Sequence, residues 1–166
     1  MSRNVVKPSW VLFPIFAIAG LIVLLFRSRA KSPQSVIKKI LSPLGLSPQM
    51  VKYWTAVSAF ETADQNVKPY SPWNSRVLRD SKNLFNIIVP GSQRLQYGEG
   101  QTIFPTWEDS VIGLYERVMK PFRYPAHVES LEDLVRYMKL KNYFTAPLDG
   151  YLKGARYWYD KLYPNG

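Results

Sequence analysis

The sequence predicts a mainly α-helical (α+β) domain that contains one small β-hairpin and follows a single N-terminal transmembrane helix. An uncharged run of seventeen residues near the N-terminus predicts the transmembrane helix. Five later segments have apolar residues at steps of three and four, which is typical of helices. One short apolar run before a glycine-rich turn predicts the hairpin. We therefore divide the 166 residues into an anchor, 1–31, and one domain, 32–166.

The apolar run spans residues 10–26 (WVLFPIFAIAGLIVLLF). Trp10 at one edge and Arg27, Arg29 and Lys31 beyond the other are typical interfacial anchors of a helix in a lipid bilayer. A cleaved signal peptide with its small-residue site at 17–19 is the alternative, but the most apolar part of the run would then follow the cut. We expect a retained single-pass anchor. The slight excess of basic residues after the run favours a cytoplasmic domain by the positive-inside rule.

Composition excludes several classes of site. Half of the formal charge of +10 belongs to residues 1–31, and the other basic residues form no dense cluster, so we expect no nucleic-acid partner. The chain has no cysteine and one histidine, His127, which excludes disulfides, thiolate sites and multi-histidine metal sites. No phosphate-binding or dinucleotide-binding glycine motif is present. We expect no cofactor and no metal.

The predicted helices follow in order. Ser32-Pro33 begins a short one, and Ser47-Pro48 begins the helix 47–64, because serine suits the N-cap and proline the first turn. In this second helix Met50, Trp54, Val57 and Glu61 share one face, so the stripe ends in a carboxyl group that points toward the core. A carboxyl group held partly out of water has a raised pKa, which suits a general acid; a solvated helix end is the alternative.

Beyond this helix, residues 65–82 are rich in Pro, Asn and Ser and predict a loop. Residues 83–89 and 94–104 predict two strands of a hairpin with Glu99 at its tip. Three further helices are predicted to begin near Thr106, Ser130 and Pro147.

Once these sites are excluded, carboxyl groups are the candidate catalytic groups that remain. Glycoside cleavage needs one carboxylic acid to protonate the leaving oxygen and usually a second carboxylate. Glu61 is the natural acid, and the candidates for the second role are Glu99, Asp64 and Asp80. Aromatic residues in loops or at element ends are candidates for a sugar-binding cleft. They are Tyr70, Trp73, Tyr97, Tyr143 and Phe144.

Several stretches together resemble the N-acetylglucosaminidase family of peptidoglycan hydrolases, the autolysin domains of bacteria and phages with a lysozyme-like helical fold. The family pattern runs from a helix that ends in Glu-Ser/Thr-Gly to Asn-Leu-Phe-Gly-Ile, a hairpin and a final Tyr-Ala-Thr-Asp-Pro-x-Tyr. The five similar stretches occur here in the same order over about residues 47–162. They are 58–63 (SAFETA), 73–75 (WNS), 83–87 (NLFNI), 104–111 (FPTWEDSV) and 142–147 (NYFTAP) with Tyr151.

The resemblance implies a lysozyme-like glucosaminidase domain that hydrolyses the β-1,4 glycosidic bond of peptidoglycan. It implies Glu61 as general acid and Tyr143 in the cleft, and it favours Glu99 as the second carboxylate. We assign substrate binding to four further residues of the matching stretches, Trp73, Asn83, Phe85 and Thr145, and to Tyr97, an aromatic residue of the predicted hairpin. Three residues depart from the pattern: Ala63 and Asn86 replace glycines, and Ala146 stands where the family often has Asp.

Two other functions compete with hydrolysis. A lytic transglycosylase acts on the same substrate with a single Glu, and a non-catalytic membrane protein, for example of a phage particle, would only bind glycan. A peptidoglycan hydrolase must meet its substrate outside the cytoplasmic membrane, which conflicts with the slight basic excess after the anchor. We therefore expect a membrane protein whose domain faces the cell wall, or one that is anchored in a viral membrane.

Overall fold

A computed structural model of the chain describes residues 32–64, 66–68 and 70–165. The predicted anchor at residues 10–26 and its basic flanks lie outside the described residues. Among the helices that are described, none combines the length and the apolar character needed to cross a bilayer.

The described part of the chain is mainly helical, as predicted. Six α-helices are found in it: α1 (Pro33–Leu41), α2 (Pro48–Thr62), α3 (Arg76–Ser81), α4 (Trp107–Leu114), α5 (Leu131–Leu140) and α6 (Leu148–Leu162). The four predicted serine and threonine N-caps are confirmed, because each side-chain oxygen accepts from the backbone N–H three residues later. These caps are Ser32, Ser47, Thr106 and Ser130.

Helix α2 is the centre of the domain and packs against α1 and α6. Its predicted stripe is confirmed, since Met50, Trp54 and Val57 are fully buried. The opposite faces are buried as well, and they carry small residues whose hydroxyl groups bond to nearby carbonyl oxygens, as Thr62 Oγ1 does to Ser58 O at 2.6 Å. Glu61 therefore belongs to the last turn of a helix that is enclosed on nearly all sides.

The predicted strands at residues 83–89 and 94–104 are both wrong. No strand is present between residues 70 and 165, and the predicted hairpin is reduced to a loop with one isolated antiparallel bridge between Arg94 and Thr102. Leu84 and Phe85 are adjacent and both buried, so side chains do not alternate between two faces as strand residues do. The predicted turn does form, with Gly98 and Gly100 at positive φ on either side of Glu99.

Two further local differences from the sequence-based expectation have clear causes. Helix α3 lies in the predicted loop 65–82, where the Ser75 side chain caps it by accepting from Leu78 N at 3.2 Å. After α4 a π-helical segment, Tyr115–Met119, inserts an extra residue into the turn. Met119, the last residue of this segment, is buried in the core.

Candidate active site

Glu61 lies on the wall of an open polar cleft of about 520 Å³. The cleft forms where α2 ends and the chain turns toward α3, because the backbone of Ser75 donates to the carbonyl oxygen of Thr62 at 3.0 Å and holds the two helices together. Charged and polar side chains provide much of the lining. The lining residues are Phe60, Glu61, Ala63, Asp64, Asn66, Ser75, Arg76 and Val77.

Both oxygens of the Glu61 carboxyl group have a hydrogen-bond donor. The Tyr151 hydroxyl group donates to Oε1. The Asn86 side-chain amide donates to Oε2 at 3.3 Å and to the backbone carbonyl oxygen of Glu61 at 2.5 Å. Two donors on different elements thus fix the orientation of a half-buried carboxyl group.

Opposing effects set the pKa of Glu61. Burial raises the pKa of this carboxyl group above its ordinary value of 4.5, and this is the largest effect. The hydrogen bonds from Tyr151 and then Asn86 lower it, and the negative charge of Glu99 raises it slightly. The net result is a raised pKa, so Glu61 keeps its proton to a higher pH than a solvated glutamate does.

The ring of Tyr151 is held on two sides by other aromatic rings. It stacks on Phe144 with ring centroids 3.7 Å apart and 6° between the planes, and Phe60 meets it edge-on at 5.0 Å. Burial and then the nearby charge of Glu61 raise the pKa of Tyr151 well above its ordinary value. The hydroxyl group therefore stays protonated and remains a donor.

Asn86 reaches Glu61 because its backbone is left-handed, with φ of +50°. Asparagine tolerates this conformation better than most residues other than glycine. The buried amide of Asn83 shapes the surrounding loop by accepting from Phe85 N and Ile87 N and donating to the carbonyl oxygens of Ile87 and Thr102. Asn86 thus combines a left-handed backbone with a side-chain donor to the Glu61 carboxyl group.

Two predicted catalytic residues lie near Glu61 without a hydrogen bond to it. Tyr143 donates to the carbonyl oxygen of Phe85 at 2.9 Å, and the charge of Glu61 is the second cause, after burial, of its strongly raised pKa. Glu99 is exposed at the tip of its turn, and its charge contributes to the raised pKa of Glu61.

Two predicted substrate-binding residues lie around the same region. Trp73 is half-buried and donates from Nε1 to Ser58 Oγ at 3.1 Å. Tyr97 donates to Asp80, and the guanidinium of Arg76, which lines the cleft, lies 4.7 Å from its ring centroid.

The other three are placed differently. Asn83 and Phe85 are buried, and their polar contacts are with the backbone of the loop. Thr145 is exposed, and its carbonyl oxygen accepts from Lys139 Nζ at 2.9 Å. None of these three side chains contacts the Glu61 carboxyl group in the described part of the chain.

Sequence reasoning did not assign a role to Tyr151 or Asn86, although both contact the Glu61 carboxyl group. In the sequence, Tyr151 belongs to the last family-like stretch without an assigned role, and Asn86 is only a departure from the pattern. A polar group that replaces a glycine beside a proposed acid is the signal that could have identified Asn86. No group of side chains suited to a metal ion occurs within residues 32–64, 66–68 and 70–165.

No family model, curated protein or solved structure matches this chain. The resemblance to the glucosaminidases therefore rests on the ordered motifs alone.

Proposed function

We propose that this chain is a membrane-anchored peptidoglycan hydrolase that cleaves the β-1,4 glycosidic bond of the wall glycan, with Glu61 as the general acid. One observation supports it best: a half-buried carboxyl group with a raised pKa is held by two donors at the wall of an open polar cleft. Catalytic acids that work near neutral pH need such a pKa. The ordered family-like motifs supply the substrate class.

In the proposed reaction, protonated Glu61 donates its proton to the glycosidic oxygen as the bond to the sugar carbon breaks. The carboxylate that this leaves is poorly solvated, and the hydroxyl group of Tyr151 and the amide of Asn86 are in place to stabilise it. Burial and hydrogen bonding therefore act before and after the proton transfer, respectively. Burial keeps the acid protonated beforehand, and the donors stabilise the anion afterwards.

Glu99 is the best candidate for the second carboxylate. Within the described residues it is the acidic side chain whose charge raises the pKa of Glu61. Asp64 instead accepts from the backbone N–H of Asn66 at 3.0 Å, and Asp80 accepts from Tyr97 and pairs with Arg76 at 3.5 Å. The Glu99 carboxylate is exposed and forms no hydrogen bond with a described residue, so it is free to act on water or on the sugar cation, whereas Asp64, which lines the cleft, holds the turn to Asn66.

The proposal is tested by incubating the full-length chain, in a mild detergent, with purified cell-wall sacculi and measuring new reducing ends. The wild type should release them, and Glu61→Gln should lower the rate by roughly 10²- to 10⁴-fold, the usual contribution of a general acid. Glu116→Gln is the matched control, since Glu116 is exposed and pairs with Lys120. The proposal fails if the wild type releases nothing, or if Glu61→Gln releases as much as the wild type.

A lytic transglycosylase is the second candidate, and the state of Glu99 favours it. Glu61 is fixed by hydrogen bonds, whereas Glu99 is exposed at a turn and acts on Glu61 only through its charge. A transglycosylase needs only the fixed carboxyl group. Its products end in an anhydro-sugar and are lighter by one water than those of hydrolysis. Mass spectrometry of the released fragments distinguishes the two reactions.

A further inference from the structure

A second concavity, which we call the aromatic groove, lies beside the cleft and has a volume of about 600 Å³. Phe60 and Ala63 line both, so the two spaces are neighbours across the end of α2. The groove continues from there along α6. Its lining residues are Phe60, Ala63, Tyr70, Gly150, Lys153, Gly154, Tyr157 and Trp158.

The groove exposes aromatic rings. Tyr70 and Tyr157 are 45% and 42% exposed, although rings of this size are usually buried more deeply. Gly150, on α6 in the lining, leaves open space beside the backbone, because a Cβ atom there would meet nothing within 4 Å. A side chain at Gly154 would collide with Phe60, because a Cβ atom there would lie 2.1 Å from Phe60 Cε2. The glycine at position 154 therefore allows Phe60 to pack closely against α6, where both residues line the groove.

The charge of the groove is positive. Lys153 is the one charged residue in its lining, and it is exposed with no ion pair to any described residue. The ammonium groups of Lys68 and Lys161 lie 6.0 Å and 5.8 Å from the ring centroids of Tyr70 and Tyr157. A ligand that combines apolar groups with free carboxylates complements this surface.

We propose that the aromatic groove binds the carboxylate-bearing peptide that branches from the glycan strand held in the cleft. This inference rests on the proposed function. A neutral N-acetylglucosamine unit offers Lys153 no charge, whereas the peptide branches of peptidoglycan carry free carboxylates and small apolar side chains. Because the cleft and the groove share Phe60 and Ala63, one branched ligand reaches both, with the sugar chain beside Glu61 and the peptide along α6.

Binding to two soluble probes tests the proposal: glycan fragments that keep their peptide branches, and the same fragments after an amidase has removed them. Each cleaved amide bond leaves one carboxylate on the sugar, so the second probe keeps a charge near the sugar chain and lacks the carboxylates of the peptide. The full-length Glu61→Gln variant is used in detergent so that turnover does not consume the probes. We expect the peptide-bearing fragments to bind roughly tenfold more tightly, the ratio given by one moderate charge-assisted contact. Adding Lys153→Met should abolish most of this difference, and Tyr157→Ala should reduce it.

Lys39→Met is the matched control, because Lys39 is an exposed lysine on α1 outside the groove, and it should leave the ratio unchanged. Equal binding of the two probes, tighter binding of the peptide-free probe, or a ratio that Lys153→Met does not alter would each overturn the proposal. The release of reducing ends reports on the proposed catalysis separately. A wild type that cleaves nothing while its Glu61→Gln variant still prefers the peptide-bearing probe would refute hydrolysis and support the groove.

Discussion

The cleft and the aromatic groove share Phe60 and Ala63, yet the ionisable side chain in each has a different environment. In the cleft, both oxygens of Glu61 are occupied by donors and burial raises the pKa of the carboxyl group. In the groove, Lys153 is exposed and has no ion pair with a described residue. A group fixed by its own fold suits proton transfer, whereas a group left without a partner suits recognition of a ligand.

The largest expected effect separates these two roles kinetically. Glu61→Gln should lower kcat on peptide-bearing glycan by roughly 10²- to 10⁴-fold and leave binding nearly unchanged, because it removes the proton donor and little else. Lys153→Met should raise KM and leave kcat nearly unchanged, because it removes binding that ground state and transition state share. Steady-state rates and direct binding measurements test both. If Lys153→Met lowered kcat as much as Glu61→Gln does, the assignment of binding to Lys153 and of proton donation to Glu61 would be contradicted.

The next effect concerns the contact between Phe60, which lines both spaces, and Gly154 on α6. Gly154→Ala should destabilise the protein by about 1 to 3 kcal/mol, the usual range for overpacking, because the new methyl group would force Phe60 away from Tyr151. Gly150→Ala is the matched control on the same helix, since a Cβ atom there meets nothing within 4 Å. It should be neutral or stabilising by up to about 1 kcal/mol. Thermal and urea unfolding measure both, and equal stability of the two variants would show that Phe60 moves freely.

Sequence could predict the helices better than the site, and the residues show why. Caps such as Ser47 and stripes such as Met50, Trp54 and Val57 are local patterns, so they could be recognised without the fold. The apolar run that begins at Asn83 resembles a strand in sequence, but most of its apolar side chains are buried in the core as part of a loop. The Asn83 side-chain amide forms the hydrogen bonds with the loop backbone that a neighbouring strand would otherwise form. The contact of Tyr151 with Glu61 joins residues 90 positions apart, which no local pattern reveals.

A smaller effect tests the two donors on Glu61. Each hydrogen bond lowers the pKa of the carboxyl group, Tyr151 more than Asn86, so its removal must raise that pKa further. The basic limb of the pH profile of kcat/KM follows the acid that must be protonated. We therefore expect Tyr151→Phe to move this limb to higher pH and Asn86→Gly to move it less in the same direction.

Asn142→Gly is the control for Asn86→Gly, because Asn142 is also left-handed, with φ of +55° compared with +50°, and is exposed. Glycine should fit both backbones without strain. A shift of the basic limb in the Asn142 variant, or a shift to lower pH in the Tyr151 variant, would contradict the assignment of these donors to Glu61.

The smallest effect is on stability and follows from the same carboxyl group. Because the pKa of Glu61 is raised by folding above its ordinary value of 4.5, the folded chain holds a proton that the unfolded chain releases, and stability falls as pH rises through this interval. Glutamine keeps the shape and an acceptor for Tyr151 without ionising. Glu61→Gln should therefore unfold at the same temperature as the wild type when the pH is well below 4.5, and at a slightly higher temperature at pH 8. Thermal unfolding across this range tests it. A variant less stable than the wild type at pH 8, and equally stable in acid, would mean that the charged form of Glu61 is the one that the fold favours.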